Sequence, residues 1–132
     1  MIDDEELEKI RKKKLEALKR RLKMAGKVVE IHNKDEFEEI VKNEPVVFVD
    51  FYADWCMPCK IMVPIIEDLA KEYAGRVTFL KVDVDKNREL AYEFSIMSIP
   101  SFYIFKDSKL VERLVGALPK NKIKEVLERI IE

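Results

Sequence analysis

The spacing of apolar positions changes several times along the chain, and each change marks an element. Leu7, Ile10, Leu15, Leu18, Leu22 and Ala25 recur on one face at helical spacing. This predicts an amphipathic helix over residues 3–24, capped by Asp3 or Asp4 and ended by Gly26. Val28-Val29-Glu30-Ile31 reads as a short strand, and Asn33 followed by Glu36 has the form of a capping box opening a helix through Ile40 and Val41. Val46-Val47-Phe48-Val49 has no polar interruption, as expected of a strand buried on both faces. From Met57 onward the pattern is helical again, with Met62, Ile65, Ile66, Leu69 and Tyr73 every three or four positions and Pro64 bending the axis. After Gly75 the order is a strand over 77–82, a helix over 86–94 and a loop over 95–100. Two strands follow, over 102–105 and 110–115, joined by a hairpin turn at 106–109, and a last helix spans 119–131.

Alternating strands and helices that finish with a hairpin and a helix imply an α/β class, a central mixed β-sheet flanked by helices. The length of 132 residues and the 48% hydrophobic content suit a single core. The boundary signal at Gly26 divides the chain into a charged helical extension, residues 1–27, and a domain, residues 28–132.

Both cysteines lie at the junction after the buried strand, as Trp55-Cys56-Met57-Pro58-Cys59-Lys60. The pattern puts Cys56 at a helix N-terminus with Cys59 one turn in, at the carboxyl end of a central strand, where open α/β sheets place their sites. Unpaired N–H groups and the positive end of the helix dipole favour a thiolate at Cys56. Lowering a thiol pKa from about 8.5 to about 7 raises the thiolate fraction at pH 7 from about 3% to about half. Nucleophilicity falls with pKa, so the net gain in attack rate is only about threefold. The rest comes from Cys59, which attacks a mixed disulfide on Cys56 intramolecularly, at high effective concentration. On this reading Cys56 is exposed and Cys59 buried.

Charge and compartment add less. The net charge is −1, but charged residues are 39% of the chain and glutamine is absent, which leans toward a thermophilic source. The acidic start Met1-Ile2-Asp3-Asp4-Glu5-Glu6 is followed by no apolar run, so no signal peptide or membrane span is expected and the setting is read as cytoplasmic. In a reducing compartment a lone Cys-x-x-Cys is catalytic or metal-binding more often than structural. Two cysteines and the distant His32 do not complete a zinc site within one chain, so no metal is expected; His32 is read as a loop residue. The extension is lopsided: four carboxylates stand in the first six residues, whereas Lys9 to Lys27 holds ten basic residues and only Glu16. Its apolar stripe is expected to dock on the domain or on a second chain, unless the segment is partly disordered. A basic arm for nucleic acid or an anionic membrane is the sharper alternative, and the absence of aromatic residues among the lysines argues against nucleic acid.

From Val28 to the end the chain resembles the thioredoxin family. The resemblance rests on Trp55-Cys56-x-Pro58-Cys59-Lys60 together with Asp50, Pro64, Lys81, Pro100 and Gly116 in the same order and spacing. It implies that Cys56 attacks, that Cys59 resolves, that Asp50, near Lys81, exchanges a proton with Cys59, and that Pro100 is cis. Desolvation in the apolar strand raises the Asp50 pKa toward neutrality. Trp55, Met57, Pro58, Ile99, Pro100 and Gly116 are then the substrate-binding rim, with the backbone of Ile99 free to bond an extended peptide. Met57 and Ser101 stand where the family has glycine and threonine, Tyr52 replaces the usual residue before the site, and Met57 bears on the redox potential.

The expected function is protein-disulfide reduction by dithiol–disulfide exchange, with a thioredoxin reductase and disulfide-bearing proteins as partners and no bound cofactor. An oxidase or isomerase is disfavoured by the lack of an export signal and of a histidine between the cysteines. The rival from another class is a scaffold whose basic helix recruits a partner, a homodimer through that helix included.

Overall fold

The computed structural model describes residues 1–132. In chain order the elements are α1 (Asp4–Met24), β1 (Val28–Glu30), α2 (Lys34–Asn43), β2 (Val46–Tyr52), α3 (Met57–Glu72), β3 (Thr78–Asp83), α4 (Arg88–Glu93), β4 (Ser101–Lys106), β5 (Lys109–Val115) and α5 (Lys120–Ile131). The expected elements are all present, with ends that move by up to three residues, most at β2, which runs on from Val49 to Tyr52. The strands form one mixed sheet in the order β1-β3-β2-β4-β5. β1, β3 and β2 run parallel and β4 and β5 antiparallel to their neighbours. The turn between the last two narrows to Asp107 and Ser108, both at positive φ, as a tight right-twisted hairpin requires.

β2 is central, so both its faces are covered and its apolar run is explained. One face meets α3 and α5: Phe48, Phe79, Phe102 and Ile104 pack under Met62, Ile66, Leu69, Ile123 and Leu127. The other meets α2 and α4, where Val47, Val49, Phe51, Leu80 and Val82 pack with Phe37, Ile40 and Leu90. Asn33 caps α2 by accepting the Glu36 N–H at 2.9 Å. The reciprocal half of the expected box is missing, because the Glu36 carboxylate instead faces His32 at 3.4 Å. Pro64 lies on the exposed side of α3.

α1 docks by its C-terminal turns only. Met24 is buried with the α2 face, Arg20 meets Glu39 at 3.0 Å and Arg21 meets Glu44 at 2.7 Å. The Glu44 side chain is 1% exposed, so Arg21 is its main compensation. The leucine stripe does not dock on the domain: Leu15, Leu18 and Leu22 are exposed. The docked face is a different one, a third of a turn away.

Breaking these contacts has unequal consequences. Arg21→Ala leaves a buried carboxylate unpaired and should lower stability by about 1–3 kcal/mol. Arg11→Ala, which loses only the exposed pair with Glu8, should stay within about 0.5 kcal/mol of the parent. Chemical denaturation of both variants checks the contrast, and equal losses would show that Glu44 is satisfied without Arg21.

Candidate active site

β2 ends at Tyr52, and Ala53, Asp54 and Trp55 turn the chain into α3. Cys56 is the N-cap residue with extended backbone, and its Sγ accepts the Cys59 N–H at 3.3 Å. The first turn contains no acidic side chain. Nothing there competes with a thiolate for the helix N-terminus, and the open N–H groups and dipole favour negative charge at that sulfur. Cys56 and Cys59 are joined in a disulfide with a Cα–Cα distance of 5.3 Å. The expected exposure of Cys56 is corrected: it is 4% exposed against 3% for Cys59. In the disulfide, the Cys56 sulfur is covered by the backbone of Ile99, whose carbonyl lies 3.9 Å away, and by Ala53 and Cys59. The two sulfurs differ in surroundings instead. Cys56 lies between the exposed Trp55 and Met57, whereas Cys59 lines an inner cleft.

That cleft, about 300 Å³, is bounded by Glu30, Asp50, Tyr52, Ala53, Asp54, Cys59, Lys60, Val63 and Lys81. Its floor is set by strand register. Glu30 pairs with Lys81 across β1–β3, and Lys81 with Asp50 across β3–β2, so three charged side chains form a row on the α3 face of the sheet. Asp50 is 7% exposed and its Oδ1 has no hydrogen-bond partner. Burial pushes its carboxyl up to about 7, against a smaller opposing pull from Lys81. An acid with that pKa, opening on the cleft that Cys59 also lines, can give or take a proton near neutral pH. Tyr52 donates its hydroxyl to Glu30, and the Lys81 ammonium lies 6.0 Å from the Tyr52 ring centre. Burial first, and then Glu30, keeps that hydroxyl protonated.

The rim is apolar. Trp55 is 71% exposed, yet its indole N–H donates to Asp85 at 2.8 Å, which fixes the ring. Asp85 is held in turn by Asp83, whose buried carboxylate accepts the N–H groups of Asp85 and Lys86. The Ile99–Pro100 bond is cis, and the Pro100 carbonyl accepts the Gly116 N–H at 2.8 Å, joining two of the expected rim residues. Gly116 has φ +90, which explains glycine there. The Ile99 N–H has no partner within the chain. Met57 and Pro58 are exposed at the start of α3, and Met97 stands exposed two residues before Ile99. Glu30, Asp85 and Met97 escaped the sequence reading. Only strand register brings Glu30 to the cleft, and no local pattern marks the other two. No group of three or more His, Cys, Asp or Glu side chains is arranged to hold a metal ion.

Comparison with known proteins agrees with this geometry. The family model for thioredoxin matches residues 28–129. A thioredoxin of Chlorobaculum thiosulfatiphilum is 42% identical over 107 residues, covering 81% of this chain and 99% of that protein. One of Mycoplasmoides gallisepticum is 44% identical over 98 residues, covering 74% and 97%. Among solved structures, a mutant thioredoxin from Halobacterium salinarum superposes with a TM-score of 0.77 at 30% identity, covering 82% of this chain and 94% of its own. α1 lies before the matched residues.

The Asp50 environment predicts a pH signature. Because its folded pKa of about 7 is above the usual 3.8, the native state holds this proton more tightly than the unfolded chain does. Its stabilising effect is fully present below about pH 4 and is lost as pH rises through about 7. At about 1.4 kcal/mol per unit, the cost above neutrality is about 4–4.5 kcal/mol. Asp50→Asn, which cannot ionise, should therefore gain stability relative to the parent by about 2–3 kcal/mol more at pH 8 than at pH 5. Denaturant midpoints at the two pH values measure this, and a pH-independent difference would mean that Asp50 ionises as freely folded as unfolded.

Proposed function

The chain belongs to the thioredoxin family of dithiol–disulfide oxidoreductases, and from that premise we propose which of its residues carry each step of disulfide reduction. The observation that carries the assignment is the asymmetry of the two sulfurs: Cys56 caps α3 beside the exposed rim, and Cys59 faces the cleft of Asp50. The Cys56 thiolate attacks one sulfur of a substrate disulfide, forming a mixed disulfide and releasing the other sulfur as a thiolate. Asp50 accepts the Cys59 proton through the cleft. The Cys59 thiolate then attacks Cys56 Sγ, forming the Cys56–Cys59 bond and releasing the second substrate thiolate, so two electrons have passed to the substrate. Lys81 tempers the proton affinity of Asp50 by its charge. The family implies a reductase and disulfide-bearing substrates as partners, and a thioredoxin reductase restores the dithiol here. The redox group is the cysteine pair itself, and we infer that no further cofactor takes part.

Substrates are read as extended segments that lie across Trp55, Met57, Pro58, Pro100 and Gly116 and add a strand to the free backbone of Ile99. We infer a cytoplasmic setting, a reducing compartment in which a lone Cys-x-x-Cys is more often catalytic than structural. The high charged content without glutamine supports a thermophilic source. We assign residues 28–132 as the redox domain and residues 1–27 as an accessory element whose exposed stripe meets a second copy of the chain.

Three outcomes test this reading. Cys59→Ser should accumulate covalent complexes with substrate proteins through Cys56, readable on non-reducing gels; accumulation in Cys56→Ser instead would reverse the order of attack. Equilibration of the Cys56–Cys59 pair with dithiothreitol should give a potential near about −270 mV, and a value near about −120 to −180 mV would make the protein an oxidant or isomerase. A chain starting at Lys27 should still reduce insulin, but with lower stability because Met24 is lost and Glu44 is left unpaired. Loss of reduction by the folded truncated chain would place part of the redox machinery in α1.

A further inference from the structure

α1 carries two faces with different fates. Met24 and the Arg20 and Arg21 side chains meet the domain. Leu7, Ile10, Leu15, Leu18 and Leu22, centred a third of a turn away, are between 37% and 68% exposed. Residues 1–16 are exposed throughout, so the first half of the helix stands about 20 Å clear of the domain. Its only charge contacts are internal, Glu5 with Lys9 and Glu8 with Arg11. Such a half-helix is marginal alone, since exposed pairs of this kind add only about 0.3–0.5 kcal/mol each. The charges say what covers the stripe. Asp3, Asp4, Glu5, Glu6 and Glu8 occupy the N-terminal end and Lys19, Arg20, Arg21, Lys23 and Lys27 the C-terminal end, with Lys9, Arg11, Lys12, Lys13 and Lys14 between them and the leucine stripe running the whole length.

We propose that α1 pairs antiparallel with α1 of a second copy of this chain, through the face formed by Leu7, Ile10, Leu15, Leu18 and Leu22. In that orientation the acidic end of each helix lies beside the basic end of the other, whereas a parallel pair sets like charges together. The stripe is also close to palindromic. About a two-fold axis near Lys14 and Leu15, Leu7 comes beside Leu22 of the second copy, Ile10 beside Leu18, and Leu15 beside itself, the self-complementary match of an isologous contact. Each domain is attached only to the C-terminal turns of its own helix, so an antiparallel pair sets the two domains at opposite ends. An anionic membrane fits less well, since the acidic end around Leu7 would be repelled. The proposal deepens the self-association reading and does not depend on the assignment of redox steps.

The test uses the full chain, reduced, in sedimentation over a concentration series reaching about 1 mM. The expected mass is twice 15.6 kDa. The dissociation constant should rise at least about threefold between about 0.05 and 0.5 M NaCl, as opposite charges at the contact are screened. Leu15→Glu with Leu18→Glu should be monomeric, while reducing insulin at the parental rate. A pair that tightens with salt would overturn the antiparallel orientation and leave self-association standing. A monomer throughout the series would overturn both, as would a dimer that survives the double leucine variant or a monomer that sediments with vesicles containing phosphatidylserine.

Discussion

The seating of α3 on the β2–β3 face fixes everything the site does. Met62, Ile66 and Leu69 lie on Phe48 and Phe79, so the helix cannot rotate or slide without opening a core whose side chains are almost wholly buried. Cys56 is thereby held at the helix start and Cys59 is turned inward over Asp50. One packing contact thus sets two chemical environments, an N-terminal dipole for the first sulfur and a half-dry cleft for the second.

The cleft is where the fold spends stability. A carboxylate on the central strand, at a position whose neighbours are Phe48 and Phe102, is costly to ionise, and Lys81 offsets only part of that cost. The result is a carboxyl that titrates near neutral pH in the cleft that Cys59 also lines, as the proposed proton transfer requires. Tyr52 and Glu30 extend the polar row to the edge strand β1.

α1 follows another logic. Its last turns use burial of Met24 and the Arg21–Glu44 pair to fix its direction, and its outer half depends on no contact with the domain. The same segment joins a rigid anchor to an exposed, charge-segregated face, an arrangement suited to presenting that face away from the redox site.

Apolar spacing by itself determined the class, the element order and the junction of β2 with α3, because helix and strand periods are local and strong here. The Cys-x-x-Cys, Asp50, Lys81, Pro100 and Gly116 were legible as a candidate site because their order and spacing match a known family. Which face of α1 is buried was not legible: the stripe of leucines looked like the docking face, but the domain selects Met24 and two arginines, whose partners Glu39 and Glu44 lie on α2. The burial of Cys56 came from Ile99, far along the chain, and Glu30 reached the cleft through strand pairing alone. Contacts between residues distant in sequence leave no local period, so only the tertiary structure could decide them.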